Sequence, residues 1–316
     1  MSCGCSRLPQ GTICQPTTPN VKTKHLLPLA AAASMISSAS ASVTMDWVTV
    51  GNAGNAADAG GRGSVAYTYK IGKYEVTNAQ YGVFLNAAAQ TDSYGLYNSN
   101  MSSLGIARSG SSGSYTYSVT TALANRPVEY VSWYDAARFA NWMMNGQGSG
   151  STETGAYTLN GATNGLILAN AGAQVYIPTD DEWYKAAYYN AANQTYSRYP
   201  NGQNSITTAD ANYAFSVGSA TDVGSYTDDA SFYGTFDQGG NVWEFTDAVQ
   251  DGWLRGRRGG GWNSADGYLH SYLQNYNGDP AQEYSYIGFR LAAVPEPSSM
   301  LLTMLAGGVM LIRRKR

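Results

Sequence analysis

The segment RRGGGWNSADGYLHS, residues 257–271, sets a serine, an acid and a histidine within seven positions: Ser264, Asp266 and His270. These are the residue types of a nucleophilic triad, and such a triad works only when three-dimensional geometry aligns it. A histidine beside tyrosines is more often a hydrogen-bonded structural residue, and that reading is favoured here. The three glycines ahead of Trp262 invite comparison with a phosphate cradle. No Gly-Lys-Ser/Thr follows them and no strand leads cleanly into a helix, which excludes a phosphate loop.

A second candidate is FDQGGNVWEF, residues 236–245. Asp237 and Glu244 supply two carboxylates, and the Gly239-Gly240 turn lets backbone carbonyls face one point. Calcium takes six to eight hard oxygens in flexible geometry, so these residue types suit it. The alternative is a tight turn with Trp243 in the core and solvated acids.

The ends of the chain set the context. Lys22 and Lys24, the apolar stretch Leu26–Ile36 and the small residues Ala39-Ser40-Ala41 form the three parts of a secretory signal. Residues 1–21 precede it awkwardly, as a start codon placed too early would explain. At the other end stand Pro-Glu-Pro (295–297), an apolar run Ser298–Ile312 and a basic tail Arg313–Arg316. The run has 15 residues, short of the roughly 17–25 of a full span. The expected division is therefore 1–41 extension and signal, 42–294 domain, and 295–316 sorting segment.

Residues 42–294 carry 12 basic and 21 acidic residues, a net charge near −9, which argues against nucleic acid or anionic lipid as partner. Cys3, Cys5 and Cys14 all precede this region, so disulfides and thiolate chemistry are excluded within it. His270 is its single histidine, which excludes a multi-histidine metal site.

Elements must hold these candidates in place. Residues 45–51 and 67–77 read as strands, aromatic and β-branched between glycines. Three helices start on capping pairs three residues apart: Thr77 with Gln80, Ser132 with Asp135, and Thr179 with Glu182. Tyr81, Phe84 and Leu85 give the first an apolar face; Trp133, Ala136, Ala137, Ala140 and Met144 do so for the second. Trp133, Trp142, Trp183 and Trp243 are expected to pack in the core. Residues 87–123 and 146–173 are rich in Ser, Gly, Asn and Thr and read as surface insertions. The expected class is α+β, one domain with little regular structure.

Eight collinear segments resemble the formylglycine-generating enzyme (sulfatase-modifying factor) family: YKIGKYEVTNAQYGVFLN, RPVEYVSWYDAARFANWM, YIPTDDEWYKAAYYN, RYPNGQ, ANY, GGNVWEFTDA, RRGGGWNS and IGFRLAA. They run from about Trp47 to Ala293. The resemblance implies a variant of the C-type-lectin-like fold, with 257–271 as the floor of a peptide-binding cleft. Active members of the family carry two cysteines there that bind copper and oxidise a substrate cysteine. Those positions fall on Ser264 and Leu269. Hydroxyl and hydrocarbon do not replace thiolates for Cu(I), so no copper and no family oxidation are expected. An iron-dependent sulfoxide synthase activity, also found in the family, needs a histidine-bearing region that 42–294 lacks.

Position by position, the resemblance places a structural calcium on Asp237, Gly240, Val242 and Glu244. A second calcium would start at Asn212 and Tyr213, but Ser219–Phe236 is shorter than the family's usual connection, and its other ligands have no clear counterpart. The expected ligand cleft comprises Trp262, Asn263, Ser264, Tyr268, Leu269 and Tyr272. Its expected ligand is a peptide or a glycan, bound by a non-catalytic module. The alternatives are a family enzyme oxidising a protein cysteine, altered chemistry in the same cleft, and a passive matrix filler. The C-terminal segment resembles the PEP-CTERM sorting signal of Gram-negative bacteria. That implies transient inner-membrane anchoring, an exosortase as partner, and delivery to the cell surface or biofilm matrix.

Overall fold

Each of the three capping pairs starts a helix in the computed structural model, which describes residues 41–273 and 275–295. Gln80 N–H donates to the Thr77 hydroxyl at 3.3 Å while Thr77 N–H donates to the Gln80 side chain at 2.9 Å. The same reciprocal bonds join Ser132 with Asp135 and Thr179 with Glu182. Two of the first-turn N–H groups that a helix leaves unpaired are served in this way. Residues 1–40, which hold all but the last residue of the expected signal 22–41, and the tail from residue 296 lie outside the described residues.

In chain order the structure runs β1 (Trp47–Val50), β2 (Tyr69–Gly72), α1 (Asn78–Ala88), α2 (Met101–Leu104), β3 (Ile106–Ser109), β4 (Thr116–Val119) and α3 (Trp133–Met144). It continues β5 (Val175–Tyr176), α4 (Asp180–Tyr188), β6 (Tyr189–Asn190), β7 (Thr195–Tyr196), β8 (Trp243–Gln250), β9 (Leu254–Arg258), β10 (Asn275–Gly278), β11 (Ile287–Gly288) and β12 (Ala292–Ala293). One four-stranded sheet has the order β1-β2-β12-β5, antiparallel throughout. The other is β10-β9-β8-β11, in which β11 runs parallel to β8. The expected strand 67–77 is shorter than its pattern: pairing covers Tyr69–Gly72, and Thr77 serves as the N-cap of α1. The mixed α and β content, with short elements, is the expected α+β class.

The core forms between α1, α3 and the C-terminal strands. Tyr81, Phe84, Phe139 and Phe289 are all fully buried, and the Phe84 and Phe139 rings meet edge to face at 5.3 Å. Helix α3 is buried from Trp133 to Trp142, its polar residues included, and only half-buried at Met144. Arg138 can be buried there because Glu153 pairs with it at 2.8 Å.

The two polar stretches are more than surface insertions. Leu96, Tyr97, Met101, Ile106 and Tyr117 from the first, and Ala156, Tyr157 and Leu159 from the second, belong to the main core. Tyrosine makes this possible, since its ring packs while its hydroxyl serves a carbonyl. Tyr117 donates to Ala89 O at 2.7 Å and Tyr97 to Ile106 O at 3.1 Å. A count of polar residues hides such anchors.

Candidate functional site

Strand β8 carries Glu244 into the interior, where its surface is wholly lost to solvent. Arg290 meets it with two donors, Nε to Oε2 at 2.5 Å and Nη2 to Oε1 at 2.6 Å. The Trp183 indole of α4 donates to Oε2 at 2.7 Å. Arg290 also donates to Gly72 O at 3.0 Å and to Phe236 O at 2.9 Å. One guanidinium thus joins β8, the end of β2 and the turn ahead of Asp237.

That turn is held by a close approach of two segments. Gly240 has φ +86, and a Cβ there would lie 2.4 Å from Asn212 O. Asn241 N–H donates to Asn212 O at 2.8 Å, so the two regions expected to bind calcium are adjacent. Asp237 Oδ2 accepts from Gly224 N–H at 2.6 Å. Burial pushes the Asp237 carboxyl up to about 6, against the Gly224 hydrogen bond and Arg290, with Glu244 adding to the rise. Burial likewise raises Glu75 well above its ordinary value, and the Asp237 charge adds to it.

Glu75, Asp237 and Glu244 face one cation, Arg290, and Glu75 Oε2 and Asn212 Oδ1 are buried without a hydrogen-bond partner. Glu75 Oε2 has only the Arg290 guanidinium among the described residues, at 4.0 Å, and a surplus of carboxylates with oxygens that lack hydrogen bonds is a setting that suits a hard divalent cation. Among the described residues no three His, Cys, Asp or Glu side chains converge as metal ligands. Main-chain oxygens such as those of Gly240 and Val242 would have to supply much of the shell. Glu244 would contribute while shared with Arg290 and Trp183. Tyr213 directs its hydroxyl to Ile206 O at 3.1 Å, leaving its carbonyl as the possible ligand atom.

Beyond β9 the chain turns through Gly259, whose φ of +93 and close approach to Gln238 O (2.9 Å from a Cβ) admit only glycine. The turn leads to a cavity of about 370 Å³. Asn263, Ser264 and Tyr268 line it, as expected from the sequence, together with Trp243, Arg257, Gln282, Tyr284 and Tyr286. Tyr284 and Tyr286 stack with rings 5.2 Å apart, and Tyr268 stands edge-on to Trp243 at 5.7 Å.

The other expected cleft residues lie elsewhere. Leu269 is fully buried in a cluster with Tyr199, Ala211 and Tyr213. Trp262 is half-buried, packs against Phe215 and donates to Ser285 O at 2.8 Å. Tyr272 is exposed and lies against His270. Trp243, expected as a core residue alone, is buried and also forms cavity wall.

The serine, acid and histidine of the first segment do not assemble. Ser264 Oγ accepts from Gly261 N–H at 2.9 Å and from the Trp243 indole at 3.1 Å. His270 instead contacts the Arg198 guanidinium and accepts from Tyr272 N–H at 3.1 Å. Asp266 Oδ1 accepts from Gly267 N–H. Without a bond from Ser264 to a base, the nucleophile is not activated.

Sequence reasoning weighs Arg257 as a partner for ligand carboxylates, whereas it passes over Gln282, Tyr284, Tyr286 and Glu129. Glu129 is buried and accepts from the Trp262 indole at 3.2 Å. Burial pushes its carboxyl up to about 8, against the Trp262 hydrogen bond and Arg126. Its one visible signal was an acid between apolar residues in RPVEYV.

The family model described as "Sulfatase-modifying factor enzyme 1-like domain" matches residues 34–294. The chain is similar to hercynine oxygenase of Mycobacterium tuberculosis (strain ATCC 25618 / H37Rv), 25% identical over 252 residues, covering 71% of this chain and 52% of the relative. Hercynine oxygenase of Mycolicibacterium smegmatis is 25% identical over 191 residues, covering 53% and 37%. The chain thus spans about half or less of the curated relatives it matches. Two solved structures share the fold. "Crystal Structure of CarF" has a TM-score of 0.55 at 24% identity, over 80% of this chain and 99% of that one. Treponema denticola variable protein 1 has a TM-score of 0.54 at 20% identity, over 81% and 97%.

Two outcomes test this geometry. Arg290→Met leaves Glu244 buried and unpaired, and should lower stability by about 3–5 kcal/mol in urea unfolding; a change within error would mean the ion pair holds nothing. Glu129 has its folded value above its unfolded one, so ionisation favours the unfolded chain and stability falls as pH rises from about 4.5 to about 8. Glu129→Gln should therefore gain stability relative to the parent at pH 8 and not at pH 4, read as the shift in urea midpoint. Equal shifts at both pH values would remove Glu129 from the pH dependence.

Proposed function

The chain belongs to the sulfatase-modifying factor enzyme 1-like domain family, and on that premise we propose that it is a non-catalytic binding module exported to the cell surface or biofilm matrix. The observation that carries this reading is the state of the two positions where the family's copper thiolates would stand. Ser264 spends its hydroxyl as acceptor of two N–H donors, and Leu269 is hydrocarbon sealed in the core. Copper(I) prefers soft sulfur ligands, which neither provides.

What remains is a cavity suited to binding. Trp243, Tyr268, Tyr284 and Tyr286 offer aromatic surface, Asn263 and Gln282 offer amides, and Arg257 brings positive charge. Aromatic walls with a few placed polar groups suit a peptide or a glycan. Two stacked tyrosines and an arginine favour a peptide with an aromatic or acidic side chain. The signal at 22–41 and the sorting segment at 295–316 support export, transient membrane anchoring and trimming by an exosortase.

The test uses protein recovered from the medium of a Gram-negative host, whose intact mass reads removal of both end segments. This protein is incubated with copper, oxygen and a cysteine-containing sulfatase-motif peptide. The expected result is peptide retained and its cysteine unchanged by mass spectrometry, with retention lost in Tyr284→Ala. Formylglycine in the peptide, or oxygen uptake with hercynine, would replace this reading with an oxidoreductase. Neither conversion nor retention would overturn the peptide ligand and turn the search to glycans.

Calcium belongs to the same proposal as a structural ion near Asp237, Gly240, Val242 and Glu244. The carboxylate surplus around one arginine, and the Glu75 and Asn212 oxygens that lack a hydrogen-bond donor, support it. Calcium should raise the thermal midpoint of metal-stripped protein, by about 2–4 °C per kcal/mol gained. Asp237→Ala should abolish that response. An unchanged midpoint in the parent protein would discard the ion.

A further inference from the structure

A second cavity, of about 400 Å³, shares no lining residue with the cleft. Its wall includes Tyr67, Tyr69 and Tyr176, with Asp247, Gln174 and Val294 beside them. Tyr67 is about half exposed, whereas Tyr69 and Tyr176 are buried. The Tyr67 and Tyr69 rings meet edge to face, 6.3 Å between centroids.

All three phenols donate to one residue. Tyr176 reaches Glu182 Oε1 at 2.7 Å, Tyr67 reaches the same oxygen at 3.1 Å, and Tyr69 reaches the Glu182 carbonyl at 2.5 Å. Glu182 is fully buried and its other oxygen caps α4 through Thr179 N–H at 2.8 Å. Among the described residues Glu182 forms no ion pair, while Asp247 pairs with Arg255 at 2.7 Å. Asp247 lines the cavity and Glu182 lies fully buried behind the phenols, so two acids and one cation leave surplus negative charge at and beneath this wall. Burial pushes the Asp247 carboxyl up to about 7, against Arg255, with the Glu182 charge adding to the rise. A phenol donating to a carboxylate also gains electron density in its ring, which makes the ring face more attractive to a cation.

We propose that this cavity binds a small organic ammonium ion, held by cation–π contact with the tyrosine rings and by the charge of Glu182 and Asp247. An anion is repelled by that charge. A bare metal ion finds few open oxygens, because the Glu182 carboxylate is already satisfied by three donors. A neutral sugar would leave the surplus charge unanswered. An alkylated ammonium presents both the apolar surface and the positive charge that the wall complements.

Choline serves as the probe, with its neutral carbon isostere 3,3-dimethyl-1-butanol as control, both titrated into the intact protein and followed by NMR of the tyrosine rings. Choline should saturate, and the isostere should bind at least about fivefold more weakly, as one cation–π contact of about 1 kcal/mol requires. Tyr67→Ala, and Gln174→Lys at the exposed rim, should each weaken choline by at least that factor. Tyr268→Ala in the other cavity should leave it unchanged. Absent saturation, equal binding of the isostere, or sensitivity to Tyr268 in place of Tyr67 would each overturn the proposal.

Discussion

A guanidinium removed from water is stable only where carboxylate and carbonyl oxygens replace its hydration, and Arg290 meets that demand with Glu244, Gly72 and Phe236. Because these partners come from distant parts of the chain, satisfying one side chain fixes several segments at once. The turn at 237–240 is then anchored at its start by the Phe236 carbonyl and beyond its end by Glu244. Asn212 and Gly259 pack against that turn, their carbonyls accepting from Asn241 N–H and Gly240 N–H. The floor of the cavity therefore inherits its position from an ion pair that does not line it.

On that frame, the residues of the turn after β9 serve the local packing. Gly259 preserves the close backbone path, and Ser264 closes the turn by accepting from Gly261 and Trp243. Leucine at 269 adds apolar packing beneath Tyr199 and Tyr213. Both side chains serve the fold, one by closing a turn and the other by filling the core.

Two clusters in the interior hold more acids than cations. Glu75, Asp237 and Glu244 share one arginine, and Glu182 draws on phenols and a helix cap in place of a cation. Burial penalises such charge. Each cluster answers the cost differently, by carboxyls held above their ordinary values at Glu75 and Asp237, and by hydrogen bonds at Glu182. This contrast is why the two sites are assigned different ligands.

The sequence by itself determined the helix starts, the absence of thiol chemistry in 42–294 and the motif order that marks the family. Capping needs only residues three apart, and a missing cysteine needs no geometry. Which cleft residues share a cavity was decided by tertiary structure. Ser264 and Leu269 are close in sequence, yet a 3₁₀ turn over Asp266–Leu269 sends one to the cavity and the other to the core. Tyr284 and Tyr286 were illegible because their place depends on β11 pairing parallel with β8 across more than forty residues. Local hydrogen bonds are written in neighbouring residues, whereas long-range contacts exist only after the chain has met the entropy of closing its loops.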